Sequence, residues 1–164
     1  MYKRQLSSSK IEQRNTIDIN LRIPALIPED YLPDVHARLI MYKRISSAKD
    51  EEALEDLQIE MIDRFGLLPN ATKQLFMQAE VRLRAQALGI SEVDVGAAGG
   101  SVKFESTTPV PVNALIGLLQ SNPKEFRLAG AHTLRFIREL ESGEARHDYI
   151  DTLMTQWEEA CKSS

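Results

Sequence analysis

Cysteine is almost missing from this sequence: Cys161 is the only one among 164 residues. A lone thiol cannot close an intramolecular disulfide, and no second cysteine stands at metal-ligand spacing. Histidine is nearly as scarce. His36, His132 and His147 lie far apart, and none has a partner three or four residues away to share a metal. His147 and Asp148 are neighbours, but adjacent residues on a helix point about 100° apart and do not face each other. No metal, catalytic or cofactor role is therefore expected of any histidine or of Cys161. Long apolar runs are missing too, since no stretch approaches the ~18 residues a membrane span requires. With no signal peptide and a single thiol, the chain reads as cytoplasmic.

An excess of positive charge is also lacking. Lysine and arginine number 20 against 24 acidic residues, giving a net charge of -4 and a pI near 5.5. Phosphate neutralisation supplies most nucleic-acid affinity, so free-standing nucleic-acid binding is not expected, although a local basic patch stays open. Finally, the catalytic signatures are absent. There is no GxxxxGK[ST], GxSxG, HExxH or CxxC, and Gly96 to Gly100 is not followed by the lysine and hydroxyl that cradle phosphates. The chain is not expected to be an enzyme by itself.

What is present is enough for a packed core, at 43% hydrophobic residues. Residues 1–15 are polar, serine-rich and aperiodic, and read as a flexible lead-in; residues 16–164 read as one α+β domain. Thr16 to Ile23 alternates as a half-buried strand, with Ile17, Ile19, Leu21 and Ile23 on one face. A first helix is predicted over Pro33–Ile45, with Val35, Leu39, Ile40 and Tyr42 as its buried stripe. Ser46-Ser47 offers an N-cap to a second helix over Asp50–Phe65, closed by Gly66. A third helix runs from Ala71 to Leu88 and ends at Gly89.

Val93 and Val95, then Val102 and Phe104, flank Ala97-Ala98-Gly99-Gly100 as a hairpin whose turn is placed at the two glycines. A short helix carries Ala114, Leu115, Leu118 and Leu119. A second hairpin brackets Gly130, with Phe126 and Leu128 before it and Leu134, Phe136 and Ile137 after. The last helix, Gly143–Ala160, buries Ile150, Leu153 and Trp157. Adjacent hairpins rather than βαβ units define an α+β fold: helices packed on a small sheet built from hairpins plus an N-terminal strand.

One helix departs from ordinary design. Leu54, Leu57, Met61 and Phe65, joined by Ile62, form its apolar stripe, while Glu52, Asp56, Glu60 and Asp63 form a second row with Glu55 beside it. Like charges four residues apart destabilise a helix by ~0.2–0.5 kcal/mol per pair. Glu60 and Asp63 also stand in the C-terminal half, where the helix dipole disfavours anions. A solvated face would account for such a row, and so would an arginine-bearing partner. On the first helix, Arg38, Lys43 and Arg44 make another candidate surface; the Arg44 stem is expected to cover apolar surface with its head in water.

Several ordered segments resemble the C-terminal (TRCF) domain of bacterial transcription-repair coupling factors. They are the strand ending in Pro24, LIPEDYLPDV, RLIMYKRIS, EMIDRFGLLP, LGI at Leu88–Ile90, NALIGLL around Gly117, and FRLAG from Phe126. The likeness runs from about Thr16 to Ala160. It implies a piece of a cytoplasmic ATP-dependent DNA translocase that displaces stalled RNA polymerase and recruits nucleotide-excision repair through UvrA. It further implies an autoinhibitory domain that packs on the protein's own N-terminal UvrB-like module and masks the UvrA-binding surface. Glu60 and Asp63 in EMIDRFG match the family's docking motif, with Asp56 as helper, and arginines of the UvrB-like module are the implied partners. Two alternatives stay open. One is a module contacting nucleic acid or RNA polymerase directly; the other is an enzyme using Glu60 and Asp63 as paired carboxylates.

Overall fold

A computed structural model describes residues 17–163; the lead-in expected at 1–15, and Thr16, lie outside the described residues. The chain divides into two compact units, Arg22–Arg84 and the described residues on either side of it. Each is built around its own apolar residues.

The helical unit opens on a proline-rich run that cannot be helical and is tied down by side chains instead. The Tyr42 hydroxyl accepts the Ile27 N–H at 2.7 Å, the Thr72 hydroxyl donates to the Leu26 carbonyl at 3.0 Å, and the Tyr31 hydroxyl donates to the Gly66 carbonyl at 2.8 Å. Helix α1 is Val35–Ser46, α2 is Glu51–Phe65, and α3 is Asn70–Ala87, of which residues to Arg84 belong to this unit. Asp34 caps α1, accepting the His36 N–H at 3.2 Å. Asp50 caps α2, accepting the Ala53 N–H at 2.8 Å. The serines that the sequence offered for that cap close the preceding helix: the Ser47 hydroxyl donates to the Lys43 carbonyl at 2.7 Å. Arg82 adds donors to the Ile45 and Ser46 carbonyls at 3.3 and 3.0 Å, satisfying groups that a helix end leaves open. As expected, Gly66 follows α2 at φ +99°.

The buried stripe of α1 is the expected one only at Tyr42. Met41 and Ile45 are buried, Ala37 and Tyr42 pack beside them, and Val35, Leu39 and Ile40 face solvent. The helix carries apolar residues on two faces, so periodicity alone could not choose between them. The core joins Met41 and Ile45 to Leu54, Leu57 and Met61 of α2, Phe76 and Ala79 of α3, and Ile27, Leu32 and Leu68 from the connections. Ile62, expected in the α2 stripe, is exposed.

The sheet unit has strands β1 Asp18–Asn20, β2 Ile90–Gly96, β3 Gly99–Phe104, β4 Phe126–Leu128 and β5 Thr133–Ile137, with helices α4 Val112–Ser121 and α5 Gly143–Ser163. The strand order is β1-β2-β3-β5-β4; β1 runs parallel to β2 and every other pair is antiparallel. The expected N-terminal strand pairs over three residues only, because Arg22 turns the chain at φ 56°. In the first hairpin the turn is Ala97-Ala98, whereas Gly99 and Gly100 lie within β3, opposite Gly96 and Val95. The pleat buries Val93, Val95, Val102, Phe104, Phe126, Leu134 and Phe136, and α5 covers them with Tyr149, Ile150, Leu153, Met154 and Trp157. Phe104 meets the Trp157 ring edge-on at 5.1 Å between centroids. The fold is α+β, as the sequence implied.

Candidate functional site

Helix α2 presents the acidic row on the side away from the core. Leu54, Leu57 and Met61 point inward, while Glu52, Asp56 and Asp63 are exposed and Glu60 is partly covered. The 3.6-residue repeat produces this directly, since positions 52, 56, 60 and 63 fall on one stripe of a helix whose 54, 57 and 61 are buried.

Glu60 is not an unaccompanied anion. The Arg44 guanidinium, from α1, grips it with two bonds, Nη1 to Oε2 at 2.7 Å and Nη2 to Oε1 at 2.9 Å. Arg64, one turn along α2, adds Nη1 to Oε2 at 3.2 Å and rests 4.9 Å from the centre of the Phe65 ring. Bidentate arginine–carboxylate pairing is the strong form of the contact. The Arg44 bonds, aided by Arg64, hold the Glu60 carboxyl down at about 2. The sequence reading left Arg44 in water. It missed the pair because sixteen residues separate the partners and only the packing of α1 on α2 joins them. Asp56 and Asp63 make no ion pair or side-chain hydrogen bond with any described residue, so they stand as open carboxylates on either side of the saturated Glu60.

A depressed carboxylate stabilises the fold above its unfolded value and loses that contribution as pH falls through the folded value. For Glu60 the window runs from 4.5 down to about 2. Because both partners are substantially exposed, the contribution is below about 1 kcal/mol. A carboxyl-carbon NMR titration is expected to give a Glu60 midpoint below the ordinary 4.5. In Arg44→Gln it should climb back toward 4.5, and an unchanged midpoint would remove Arg44 as the cause.

The histidines remain separate. His147 Nδ1 stands 3.9 Å from Asp148 Oδ1, beyond hydrogen-bond reach. A second polar cluster, which the sequence reading missed, lies in the sheet unit beside a cleft of about 500 Å³. There the Tyr149 hydroxyl donates to Glu125 at 2.7 Å, Arg138 reaches the other carboxylate oxygen at 3.2 Å, and Arg138 lies 5.5 Å over the Tyr149 ring. Burial and the Glu125 carboxylate push the Tyr149 phenol far up. Every member is satisfied within the cluster, so it knits β4, β5 and α5 together. Glu125, Arg138 and Tyr149 stand on three separate segments, so no local pattern in the sequence marks the cluster.

The TRCF domain family matches residues 21–115. The transcription-repair-coupling factor of Escherichia coli K12 is 42% identical over 142 residues, and that of Haemophilus influenzae is 38% identical over 151. These alignments cover 87% and 92% of the chain but only 12% and 13% of the relatives, so the chain spans about an eighth of their length. A crystal structure of the C-terminal domain of transcription-repair coupling factor superposes with a TM-score of 0.76 at 21% identity, covering 91% of this chain and 96% of that one. At that identity the likeness speaks for the fold.

Proposed function

The chain belongs to the TRCF domain family, and from that premise we propose that it is an autoinhibitory docking domain of a DNA translocase acting in transcription-coupled repair. In this reading its acidic stripe packs on the protein's own N-terminal UvrB-like module and masks the surface that UvrA would bind. The observation that carries the proposal is the stripe itself: Asp56 and Asp63 stand exposed and unmatched on either side of Glu60. Arginines of the UvrB-like module would neutralise the two open carboxylates. Glu60 would serve as the fixed centre, its position along the ridge set by Arg44 and Arg64.

Such masking is a population shift. Holding the open form near 1% requires only ~2.7 kcal/mol in favour of closure, which a few interfacial charge pairs and an apolar contact supply. Charge pairing of this kind fixes orientation and association rate, and it weakens with salt.

The test is calorimetric titration of this chain against the isolated UvrB-like module at two ionic strengths. Asp56→Arg with Asp63→Arg is expected to weaken binding by about ten- to a hundredfold, with the helix signal in circular dichroism unchanged. Neither side chain bonds to another described residue, so the reversal removes no contact of the fold. Absence of binding by the unaltered chain at low salt, or equal affinity of the doubly reversed variant, overturns the reading.

A further inference from the structure

The other face of the sheet, turned away from α5, carries charge in an order that the core does not require. Following the register across the strands, one row reads Asn20, Asp94, Ser101, Arg135, Arg127; the next reads Asp18, Glu92, Lys103, Thr133. Anions gather on β1 and β2, and cations on β3, β5 and β4. Arg127 and Arg135 are directly opposite each other, flanked by the Ile137-to-Glu125 and Ala129-to-Thr133 backbone bonds, both 2.8 Å. That register holds their Cα atoms about 5.5 Å apart. Like charges directly opposite in a sheet are destabilising. Both side chains are exposed, neither has an ion-pair partner among the described residues, and Lys103, also exposed, adds a further cation on the neighbouring strand β3. Beside Arg135 on the same face, Ile137 is 71% exposed.

A solvated outer face is ordinary for an antiparallel sheet, and a charged residue on a short edge strand discourages strand addition. The second consideration accounts for Arg127 on β4. It accounts neither for Arg135 on the interior strand β5, facing Arg127, nor for an isoleucine left in water next to it.

We propose that the β5–β4 side of the outer sheet face is a docking surface for an acidic protein segment, whose carboxylates bridge Arg127 and Arg135 while a neighbouring apolar side chain covers Ile137. Two features favour a protein over a polynucleotide. Strands are about 4.8 Å apart, which sets Glu92 and Asp94 of β2 roughly 10 Å from β5, at about one screening length in physiological salt. A continuous phosphate chain crossing the sheet would meet those carboxylates, whereas a folded partner can oppose each half with charge of the opposite sign. Phosphate also has no use for an exposed aliphatic side chain. The surface lies in the sheet unit and the acidic stripe in the helical one, so this inference stands or falls apart from the masking proposal.

Two measurements on the chain test it. Arg127→Gln is expected to raise the unfolding midpoint by about 1–5 °C at low salt, the gain vanishing at high salt. An unchanged or lowered midpoint would mean the pair carries no repulsion, and would overturn the inference. In the second, the isotope-labelled chain is titrated at low salt with the peptide Glu-Glu-Ile-Glu-Glu, its lysine counterpart Lys-Lys-Ile-Lys-Lys, and a 20-base-pair duplex. The acidic peptide is expected to shift the amide signals of 126–128 and 133–137, and Arg135→Glu to weaken it at least tenfold. Shifts elsewhere, no shift, or tighter binding of the duplex at the same signals overturn the proposal, the last in favour of nucleic acid.

Discussion

Arg146→Leu should lower the unfolding midpoint by roughly 10–20 °C, the expected outcome of removing a buried arginine that holds three carbonyls at once. Its Nε donates to the Leu140 carbonyl at 2.7 Å, Nη1 to Leu21 at 3.1 Å, and Nη2 to Glu141 at 3.1 Å. These carbonyls come from the end of the β1 segment and from the connection between β5 and α5. The guanidinium therefore fastens the start of the sheet unit to its last helix across 125 residues of sequence. Leucine of similar bulk would fill the space and leave the carbonyls without donors, at a cost of about 1–3 kcal/mol for each buried polar group left unsatisfied. Arg146→Lys should recover little, because one ammonium cannot reproduce three bonds diverging from a planar fork. Differential scanning calorimetry decides the matter. A midpoint within a degree or two of the unaltered chain would show that water replaces the arginine without loss.

The second large effect is expected at Gly100. A β-carbon there would run into the Asp94 carbonyl oxygen and come within 2.8 Å of Val95 Cα. Both obstacles are backbone of the neighbouring strand, so no side chain can swing aside. Gly99 is similarly confined: at φ +136° its added carbon would meet the Phe136 carbonyl oxygen and lie 3.0 Å from Ile137 Cα. The two glycines let β3 approach β2 on one side and β5 on the other. Gly100→Ala should force β3 away from β2, with a loss above about 3 kcal/mol, at the far end of single substitutions. The dispersion of amide signals from β2, β3 and β5 reads it directly. Retention of the native spectrum would mean the strands separate more cheaply than their packing implies.

Those glycines show where the sequence was legible and where it was not. Alternating valines and phenylalanines announced the hairpin, and the glycine pair beside two alanines announced a reversal nearby. A glycine that turns the chain and a glycine that lets two strands close in have the same local signature. The distinction lies in the opposing strand, so the turn was placed two residues late. Helix α1 illustrates the same limit. Val35, Leu39 and Ile40 make as good a stripe as Ala37, Met41 and Ile45, and only Leu57 and Met61 on α2 decide which one is buried.

The acidic stripe was readable because helical spacing is a property of a single segment. What holds its centre was not, since Arg44 meets Glu60 only after α1 has chosen its buried face and turned the arginine toward α2. Arg146 was invisible for a related reason: in sequence it is one more cation on a polar helix, and three of its partners are backbone carbonyls, which carry no residue identity.

The placement of Trp157 has a practical corollary. The sole indole of the chain belongs to the sheet unit, buried against Phe104, and its N–H finds no acceptor among the described residues. Intrinsic tryptophan emission thus witnesses the melting of one half of the protein, while the half bearing Glu60 and Asp63 holds only the phenols Tyr31 and Tyr42. A fluorescence curve taken for the whole would be silent about the very helices on which autoinhibition is proposed to depend; far-ultraviolet dichroism supplies the missing signal.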